Sequence, residues 1–557
     1  MNNDARSVQQ FIKKYPYLIC LPFVLLFVVY IIGLFIDVMD VDAAQYAAMS
    51  REMLVSKHYL QILDCGRNYL DKPPLIFWIT STFYAVFGVS NFVFKFPSLL
   101  FAILAIYSTY RFAKLYYGEQ VAYFAALILA SAQAFFIFVN DVRTDTMLTG
   151  AIIFCIWQLS LFTKNGKLIH VVLGFIGIGL AMLAKGPIGM MIPIFAFGTE
   201  IVLKRQWKLI FKWQWLMGLM IVALMLSPML YGLYEQYGVK GPRFFLWTQS
   251  FGRITGESEW KNDSGYLFFV HNIAWQFLPW TLFLFPAIFW KGLKILREKF
   301  FSKDVELFSF GAFLLAFLAL SLSKYKLPHY IYVLMPYSAI LTASYMVYLF
   351  EARSKIYKWL AAATHIILII ISLLALSLCT YFFPASHSWI PVIGILFGLL
   401  ILWFALKVKS FPHKLIYLSV LTMVGANYMI NASVYPELLK YQSDNSIGRW
   451  VAANKIPEHQ FFAYAESTRS INFYSRSIVP VLFTEKQLDS VYQKQGSFYI
   501  RVEREKLTDI VKAEAHYKID TIMAKPYFAV ALLNTKFINP NSRASACRKL
   551  YLLHLSK

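Results

Sequence analysis

Residues 17–36 read YLICLPFVLLFVVYIIGLFI, and residues 37–74 after them read DVMDVDAAQYAAMSREMLVSKHYLQILDCGRNYLDKPP. The first stretch is uncharged and long enough to cross the roughly 30 Å hydrocarbon core of a bilayer as a helix. It is too long for the core of a signal peptide and shows no small-residue cleavage site, so we expect it to be retained. The second stretch is polar and holds five aspartates. Because ionisable groups at a membrane are usually functional, we expect this loop to carry chemistry.

The composition is that of a membrane protein that crosses the bilayer many times. Of 557 residues, 59% are hydrophobic, 18% aromatic and 15% charged. The net charge of +23 would suggest nucleic acid in a soluble protein. Here it fits the excess of lysine and arginine that membrane proteins keep in cytoplasmic loops, so we expect no nucleic-acid partner. The five cysteines show neither metal-ligand spacing nor a disulfide framework.

Apolar runs of helical length predict about 13 transmembrane helices in an all-α polytopic fold. The predicted spans are 17–36, 91–110, 121–139, 146–162, 168–184, 187–203, 213–232, 274–290, 306–322, 328–349, 357–378, 389–406 and 413–431.

One orientation makes every predicted cytoplasmic loop basic, with the N-terminus inside. The first loop, 37–90, and a long loop, 233–273, then lie on the outer face. So do the turn at Asn140–Asp145, the Lys185-Gly186-Pro187 turn and the segment Ser323–Tyr330.

Two short helices are predicted to lie along the membrane surface within the first loop. Leu75–Phe87 is apolar but too short to span. Asp42–Leu54 is amphipathic, with Tyr46, Met49 and Met53 on one face.

The chain is predicted to divide into a transmembrane domain, 1–434, and a small outer α/β domain, 435–557. Charges become frequent in the second part, and no run there is long enough to span. A helix is predicted at Glu485–Lys494. Strands are predicted at Phe461–Ala465, Ile478–Leu482, Ser497–Val502 and Tyr527–Leu533.

Asp42 and Asp145 are the candidate catalytic residues. Asp42 stands three residues before Gln45, a spacing that also suits a helix cap. Asp145 precedes a span and is open to the same alternative. The functional interpretation is a carboxylate at the mouth of a cavity, acting as a general base or orienting an acceptor.

Several cations gather at the predicted outer ends of helices, where positive charge is normally depleted. Each taken alone is explained by a long side chain reaching the interface. Together they suit the phosphate of a lipid-linked substrate, and a histidine and a tyrosine add donors. The candidate binding residues are Lys72, Arg143, Lys185, Arg253, Lys326, His329 and Tyr330. Neither a P-loop nor an HExxH or CxxC motif occurs, so ATP-driven transport and zinc proteolysis lack support.

Five motifs in order resemble those of the lipid A aminoarabinose transferases, over roughly residues 20 to 440. These enzymes belong to the GT-C glycosyltransferases, which include the protein O-mannosyltransferases. The motifs are Asp42–Ala47 with Arg51–Leu54, Asp71-Lys72-Pro73, Arg143-Thr144-Asp145, Lys185-Gly186-Pro187 and Lys326–Tyr330.

The resemblance implies a GT-C fold and transfer of a sugar from a polyprenyl-phosphate carrier, with inversion at the anomeric carbon. Asp42 would be the catalytic first-loop aspartate, with Asp145 as its partner. Asp71 and Lys72 would lie near the carrier phosphate, and Lys326 and Tyr330 on the opposite wall. The family usually has Asp-Glu at the first motif, and Ala43 in place of that glutamate leaves a metal requirement open; no other cofactor is implied.

We therefore expect an inner-membrane glycosyltransferase of bacteria with its site facing the periplasm. Its partners would be a polyprenyl-phosphate-linked sugar and a lipid or glycolipid acceptor such as lipid A. The alternatives are a protein O-glycosyltransferase of the same fold and a transporter or flippase of lipid-linked sugar. A transporter would carry ionisable groups near mid-membrane, whereas the candidates here lie at one face.

Overall fold

The computed structural model describes residues 16–249, 252, 262, 264–297, 305–407, 414–512 and 518–556, and most of them are helical. Up to residue 439 the helices are α1 Pro16–Leu34, α2 Asp42–Ser56, α3 Leu75–Phe87, α4 Asn91–Tyr117, α5 Glu119–Ser131, α6 Gln133–Asn140, α7 Thr144–Asn165, α8 Leu168–Lys185, α9 Ile188–Leu203, α10 Gln214–Tyr237, α11 Lys240–Arg243, α12 Phe268–Gln276, α13 Thr281–Arg297, α14 Phe308–Leu322, α15 Pro328–Glu351, α16 Lys355–Phe382, α17 Trp389–Lys407 and α18 Lys414–Leu439.

Each of the thirteen predicted spans coincides with a helix, or with a bent or interrupted pair of helices. Within the described residues, eight helices are long and apolar enough to cross a membrane, and α5 with α6 would make nine despite a 50° bend between them. The polytopic membrane fold is therefore confirmed, and the count of thirteen crossings is not. The remaining apolar helices are shorter, including α9 and α14.

A buried lysine ties the end of the first helix to its neighbour α4. Lys95 is fully buried, and its ammonium donates to the carbonyls of Ile36 at 2.9 Å and Gly33 at 3.3 Å. The last carbonyls of a helix have no partner within the helix, so a cation there stabilises its end. The point at which the first loop leaves α1 is fixed in this way.

The two predicted first-loop helices are present as α2 and α3. Tyr46, Met49 and Met53, the apolar face of α2, are each less than 5% exposed. Between the helices, β1 Leu63–Asp64 and β2 Arg67–Asn68 form a small hairpin. Glu52 of α2 accepts hydrogen bonds from the backbone of Cys65 and Gly66 in its turn, at 2.8 and 2.7 Å.

The C-terminal part holds a five-stranded mixed sheet in the order β4-β3-β5-β7-β6. Its first three strands are parallel, and β7 and β6 pair antiparallel. The elements are α19 Asp444–Ala453, β3 Phe461–Tyr464, α20 Arg469–Ser475, β4 Val481–Leu482, α21 Glu485–Gln495, β5 Ser497–Glu503, α22 Arg504–Lys512, β6 Lys518–Tyr527, α23 Thr535–Ile538, α24 Pro540–Ala546 and β7 Arg548–Ser556.

The sheet confirms three of the four predicted strands and corrects the fourth. The apolar segment at Tyr527–Leu533 is not a strand, because β6 ends at Tyr527 and a 3-10 turn follows at Val530–Leu532. The sequence pattern did not predict β6 or β7. The predicted division of the chain at residue 434 stays a prediction, and α18 continues past it to Leu439.

Three first-loop aspartates, which the sequence alone suggests are surface or capping residues, contact the C-terminal part. Asp37 forms an ion pair with Arg449, and Asp64 forms one with Arg469 at 2.8 Å. Asp40 accepts a hydrogen bond from the hydroxyl of Ser470 at 3.1 Å. The first loop is thus held against α19 and α20.

Behind Asp40 lies a buried ion pair between Asp444 and Arg501, both 0% exposed. The Arg501 guanidinium donates to both Asp444 oxygens, at 3.0 and 3.1 Å. Burial of Asp40, and then the nearby Asp444 charge, raise the pKa of the Asp40 carboxyl to about 7. Asp40 therefore binds a proton more tightly in the folded protein than in the unfolded chain.

The raised pKa of Asp40 should make the stability of the folded protein fall as pH rises. A group whose folded pKa is raised contributes stability below its unfolded pKa, near 4, and loses it as pH rises through about 7. We expect the Tm of the purified protein in detergent to fall between pH 5 and pH 8, and Asp40→Asn to flatten that fall. Asp520→Asn, at an exposed carboxyl of β6, should leave the profile unchanged. An unaltered profile in Asp40→Asn would contradict the assignment.

Candidate active site

Asp42 begins α2 and is joined to the start of α7 by an ion pair. Its carboxylate accepts a hydrogen bond from Nη1 of Arg143, 101 residues further along the chain. Asp42 and Gln45 do not form a capping box: the N-cap position is Val41, no side chain caps the helix, and the Gln45 amide donates to Asp64 at 2.9 Å. Arg143 also donates from Nε and Nη2 to Oδ2 of Asp141, at 3.0 and 2.8 Å. One guanidinium therefore bridges two carboxylates.

Asp145 lies in the first turn of α7 and is only 2% exposed. The partial positive charge at a helix N-terminus favours a carboxylate there. Nζ of Lys185 lies 2.5 Å from Oδ1 of Asp145, and Nε2 of His329 lies 4.0 Å from Oδ2. The Lys185 ammonium also stands 4.1 Å from the ring centre of Tyr330.

The position of Lys185 follows from the turn after it. Lys185 is the last residue of α8, and Gly186 has φ +86°, a conformation that favours glycine. Pro187, whose fixed φ suits the start of a helix, precedes the first residue of α9. The Lys-Gly-Pro motif therefore ends one helix and begins the next, with the lysine at the carboxyl end, where a cation is favourable.

Lys72 and Asp71 form an ion pair at the end of the first loop. The Lys72 side chain is 21% exposed and that of Asp71 31% exposed. The side-chain amide of Gln249 donates to the backbone carbonyl of Asp71, which ties this end of the loop to the segment after α11.

The cations of these pairs and Asp145 line a cavity with an empty volume of about 1120 Å³, part of it open to solvent. Asp42 and Asp71 are not among the lining residues; they contact two of the lining cations, Arg143 and Lys72. The polar end of the cavity is lined by Tyr46, Lys72, Arg143, Thr144, Asp145, Lys185, Gln249, His329 and Tyr330. Its other wall is apolar and comes mainly from α9 and α14: Leu148, Ile188, Met191, Ile192, Phe195, Ala316, Ala319 and Leu320. The cavity thus joins a cationic end to a hydrocarbon-like groove.

Among the sequence-predicted binding residues, Lys326 lies away from the cavity and Arg253 is not described. The Lys326 ammonium donates to the carbonyls of Ser264 and Gly265, at 3.0 and 3.1 Å, and the residue does not line the cavity. Burial lowers its pKa. Arg253 lies outside the described residues.

Sequence reasoning missed Asp141 and the whole apolar wall. Asp141 stands two residues before Arg143, in the predicted turn at Asn140–Asp145, and that short spacing was the available signal. Ala43, where the family usually has glutamate, is fully buried. In the part of the chain that the structure describes, no group of three or more His, Cys, Asp or Glu side chains is arranged to hold a metal ion.

Comparison with known proteins shows which proteins this chain is similar to. Residues 71–231 match the family model described as dolichyl-phosphate-mannose-protein mannosyltransferase. The undecaprenyl phosphate-alpha-4-amino-4-deoxy-L-arabinose arabinosyl transferase 2 of Proteus mirabilis is 27% identical over 315 residues, 55% of this chain and 54% of that protein. The corresponding transferase of Edwardsiella ictaluri is 25% identical over 55% of each chain. The chain thus spans about half the length of these curated relatives.

Solved structures show the fold. The crystal structure of ArnT from Cupriavidus metallidurans bound to undecaprenyl phosphate superposes with a TM-score of 0.74 at 17% identity, over 97% of this chain and 98% of that one. The chain has the GT-C fold of ArnT. The resemblance to the aminoarabinose transferases is thereby confirmed. The archaeal oligosaccharyltransferase AglB from Archaeoglobus fulgidus superposes less closely, with a TM-score of 0.50 at 14% identity over 92% of this chain and 73% of that one.

Replacing only one member of the Asp145–Lys185 ion pair should lower the stability of the folded protein. Removing one partner of a buried pair leaves an uncompensated charge, so we expect Lys185→Met to destabilise the protein by on the order of 3 kcal/mol. Lys72→Met, at the more exposed pair with Asp71, should cost less than about 1 kcal/mol. Equilibrium unfolding in a denaturing detergent measures both.

The single variant Asp145→Asn and the double variant Asp145→Asn/Lys185→Met complete a double-mutant cycle. The double variant should be more stable than Lys185→Met alone, because the buried negative charge is also gone. If the two single effects simply add, the two side chains are not energetically coupled.

Proposed function

We propose that this protein transfers a sugar from a polyprenyl-phosphate carrier to an envelope glycolipid such as lipid A, at the periplasmic face of a bacterial inner membrane. The observation that carries the proposal is the two-part cavity. Its cations suit a phosphate, and its apolar wall along α9 and α14 suits a long isoprenoid chain. The similarity to arabinosyl transferases named for undecaprenyl phosphate supports the same donor class.

The cations would stabilise the leaving carrier phosphate. Departure of polyprenyl phosphate concentrates negative charge, and cations fixed in advance stabilise such charge without reorganisation. Lys72, Arg143 and Lys185 line the cavity and are each held by a carboxylate. An incoming phosphate would share these cations with Asp71, Asp42 and Asp145, so the site is ordered before the donor arrives.

Asp42 is the proposed catalytic group. Its side chain is 37% exposed and does not itself line the cavity, but it pairs with Arg143, which does. With a hydroxyl acceptor it would take the proton as the sugar is transferred. With a lipid phosphate, which is already anionic, it would orient the acceptor. Asp145, held between Lys185 and His329, would position those two cavity residues.

The decisive test is loss of sugar transfer in Asp42→Asn. We expect the gene to add one sugar modification to the envelope glycolipids, detected by mass spectrometry of strains with and without it. Asp42→Asn should reduce that modification by about 100-fold or more if Asp42 is the base. Asp520→Asn, accumulated to the same level in the membrane, should retain it. A fully modified glycolipid in Asp42→Asn would leave the aspartate as only part of the Arg143 ion pair.

An assay in micelles separates transfer from transport. Purified protein in detergent, given a polyprenyl-phosphate-linked sugar and lipid A, should form the sugar-modified lipid although no compartments exist. A flippase would form none there. A protein O-glycosyltransferase would modify a hydroxyl-bearing peptide instead of the lipid.

A further inference from the structure

The segment Phe528–Leu533 reads FAVALL, six consecutive apolar residues outside any strand. Leu532 is 74% exposed and Leu533 47% exposed. Contiguous exposed apolar surface marks a contact site more often than singly scattered apolar side chains do. The sugar-transfer site does not use this segment.

Contacts place the segment beside the ends of two spanning helices. The backbone N–H of Phe528 donates to the carbonyl of Tyr441, two residues beyond the end of α18, at 3.0 Å. The Phe528 ring stacks on Phe537 with centres 3.9 Å apart, and Phe537 packs against Phe383. The segment therefore lies at the level where α16 and α18 end.

Arg543 reinforces that placement. Its guanidinium donates to the carbonyl of Phe382, the last residue of α16, at 2.5 Å and lies 4.3 Å from the ring centre of Phe383. The apolar side chains along α16 are widely exposed, as at Leu373 and Leu374, which is typical of a helix facing lipid. The end of such a helix lies at the boundary between acyl chains and headgroups.

Positive charge flanks the apolar residues. Lys525 precedes the segment and Lys536 follows it, and both are exposed. Apolar side chains flanked by lysines are typical of elements that lie in a membrane interface, where the leucines enter the acyl region and the lysines meet anionic headgroups.

We propose that Leu532 and Leu533, at the end of this segment, insert into the bilayer interface and anchor the C-terminal part of the protein to lipid. The partner is the phospholipid leaflet at the ends of α16 and α18. The sheet region is then held on two sides, by the first-loop aspartates on one and by lipid on the other. This anchor is independent of the reaction proposed above.

Photocrosslinking to lipid tests the anchor. The photoreactive residue p-benzoylphenylalanine is placed at Leu532 in the full-length protein, in nanodiscs of phosphatidylethanolamine and phosphatidylglycerol. After irradiation we expect an increase in protein mass equal to one phospholipid. Lys518, at the other end of β6 and about 25 Å from Pro526 by strand geometry, is the matched negative position. Leu399 of α17, 56% exposed, is the positive position within a span.

The outcomes are distinct. Lipid adducts at Leu532 and Leu399 but not at Lys518 support the anchor. An adduct at Leu399 with none at Leu532 overturns it, and so does a product at Leu532 with the mass of a second protein chain. Raising the share of phosphatidylglycerol should raise the adduct yield at Leu532, and Lys525→Glu with Lys536→Glu should remove that increase. If the adduct yield does not change with the share of phosphatidylglycerol, either with the native lysines or in the Lys525→Glu, Lys536→Glu variant, the role given to the lysines is overturned.

Discussion

The cavity depends on one constraint: a charge taken out of water must keep a partner. Asp145 is almost fully buried, and Lys185 supplies the opposite charge from the end of another helix. Arg143 joins Asp42 to Asp141 in the same way. These pairs fix the distance between the starts of α2 and α7 and the end of α8. The polar end of the cavity is therefore held by its own charged groups together with the apolar packing of α2 and α7.

The first loop is supported at both of its sides. Towards the membrane, Lys95 holds the carbonyls where α1 ends, and Glu52 holds the hairpin between α2 and α3. Towards the C-terminal sheet, Asp37, Asp40 and Asp64 contact α19 and α20. A loop at a membrane surface would otherwise have few partners, since its polar backbone is not covered by a core. Asp42 stands between these two sets of contacts.

Sequence alone located the helices well, because a run of about twenty apolar residues has few other uses. It did not settle which of them cross the bilayer, since α5 and α6 bend and α9 and α14 are short. Strands β6 and β7 were missed because a strand is selected by its neighbours in a sheet more than by its own residues. Tyr527–Leu533 misled for the same reason: its apolar residues suit a strand, but Phe528 and Val530 pack on a hydrophobic cluster, and Leu532 and Leu533 are exposed.

For the site, the quoted motifs named most of the polar cavity residues, because polar groups at helix ends stand out in an apolar chain. The pairing of Asp42 with Arg143 joins residues 101 positions apart, which no local pattern reveals. Lys326 shows that a residue can match the sequence pattern and still lie outside the site. Its position in the sequence matches the other cations, yet it is held by two backbone carbonyls away from the cavity.

The contacts of the first loop also set an order in time. Asp37 meets a residue 412 positions later, and Asp64 one 405 positions later. During synthesis from the N-terminus, the loop that carries Asp42 is made early but acquires these partners only when the last fifth of the chain has emerged. Contacts so distant in sequence form late because a long loop must close first. A nascent or truncated chain can thus hold its helices in the membrane while the first loop still lacks the contacts that the C-terminal part supplies.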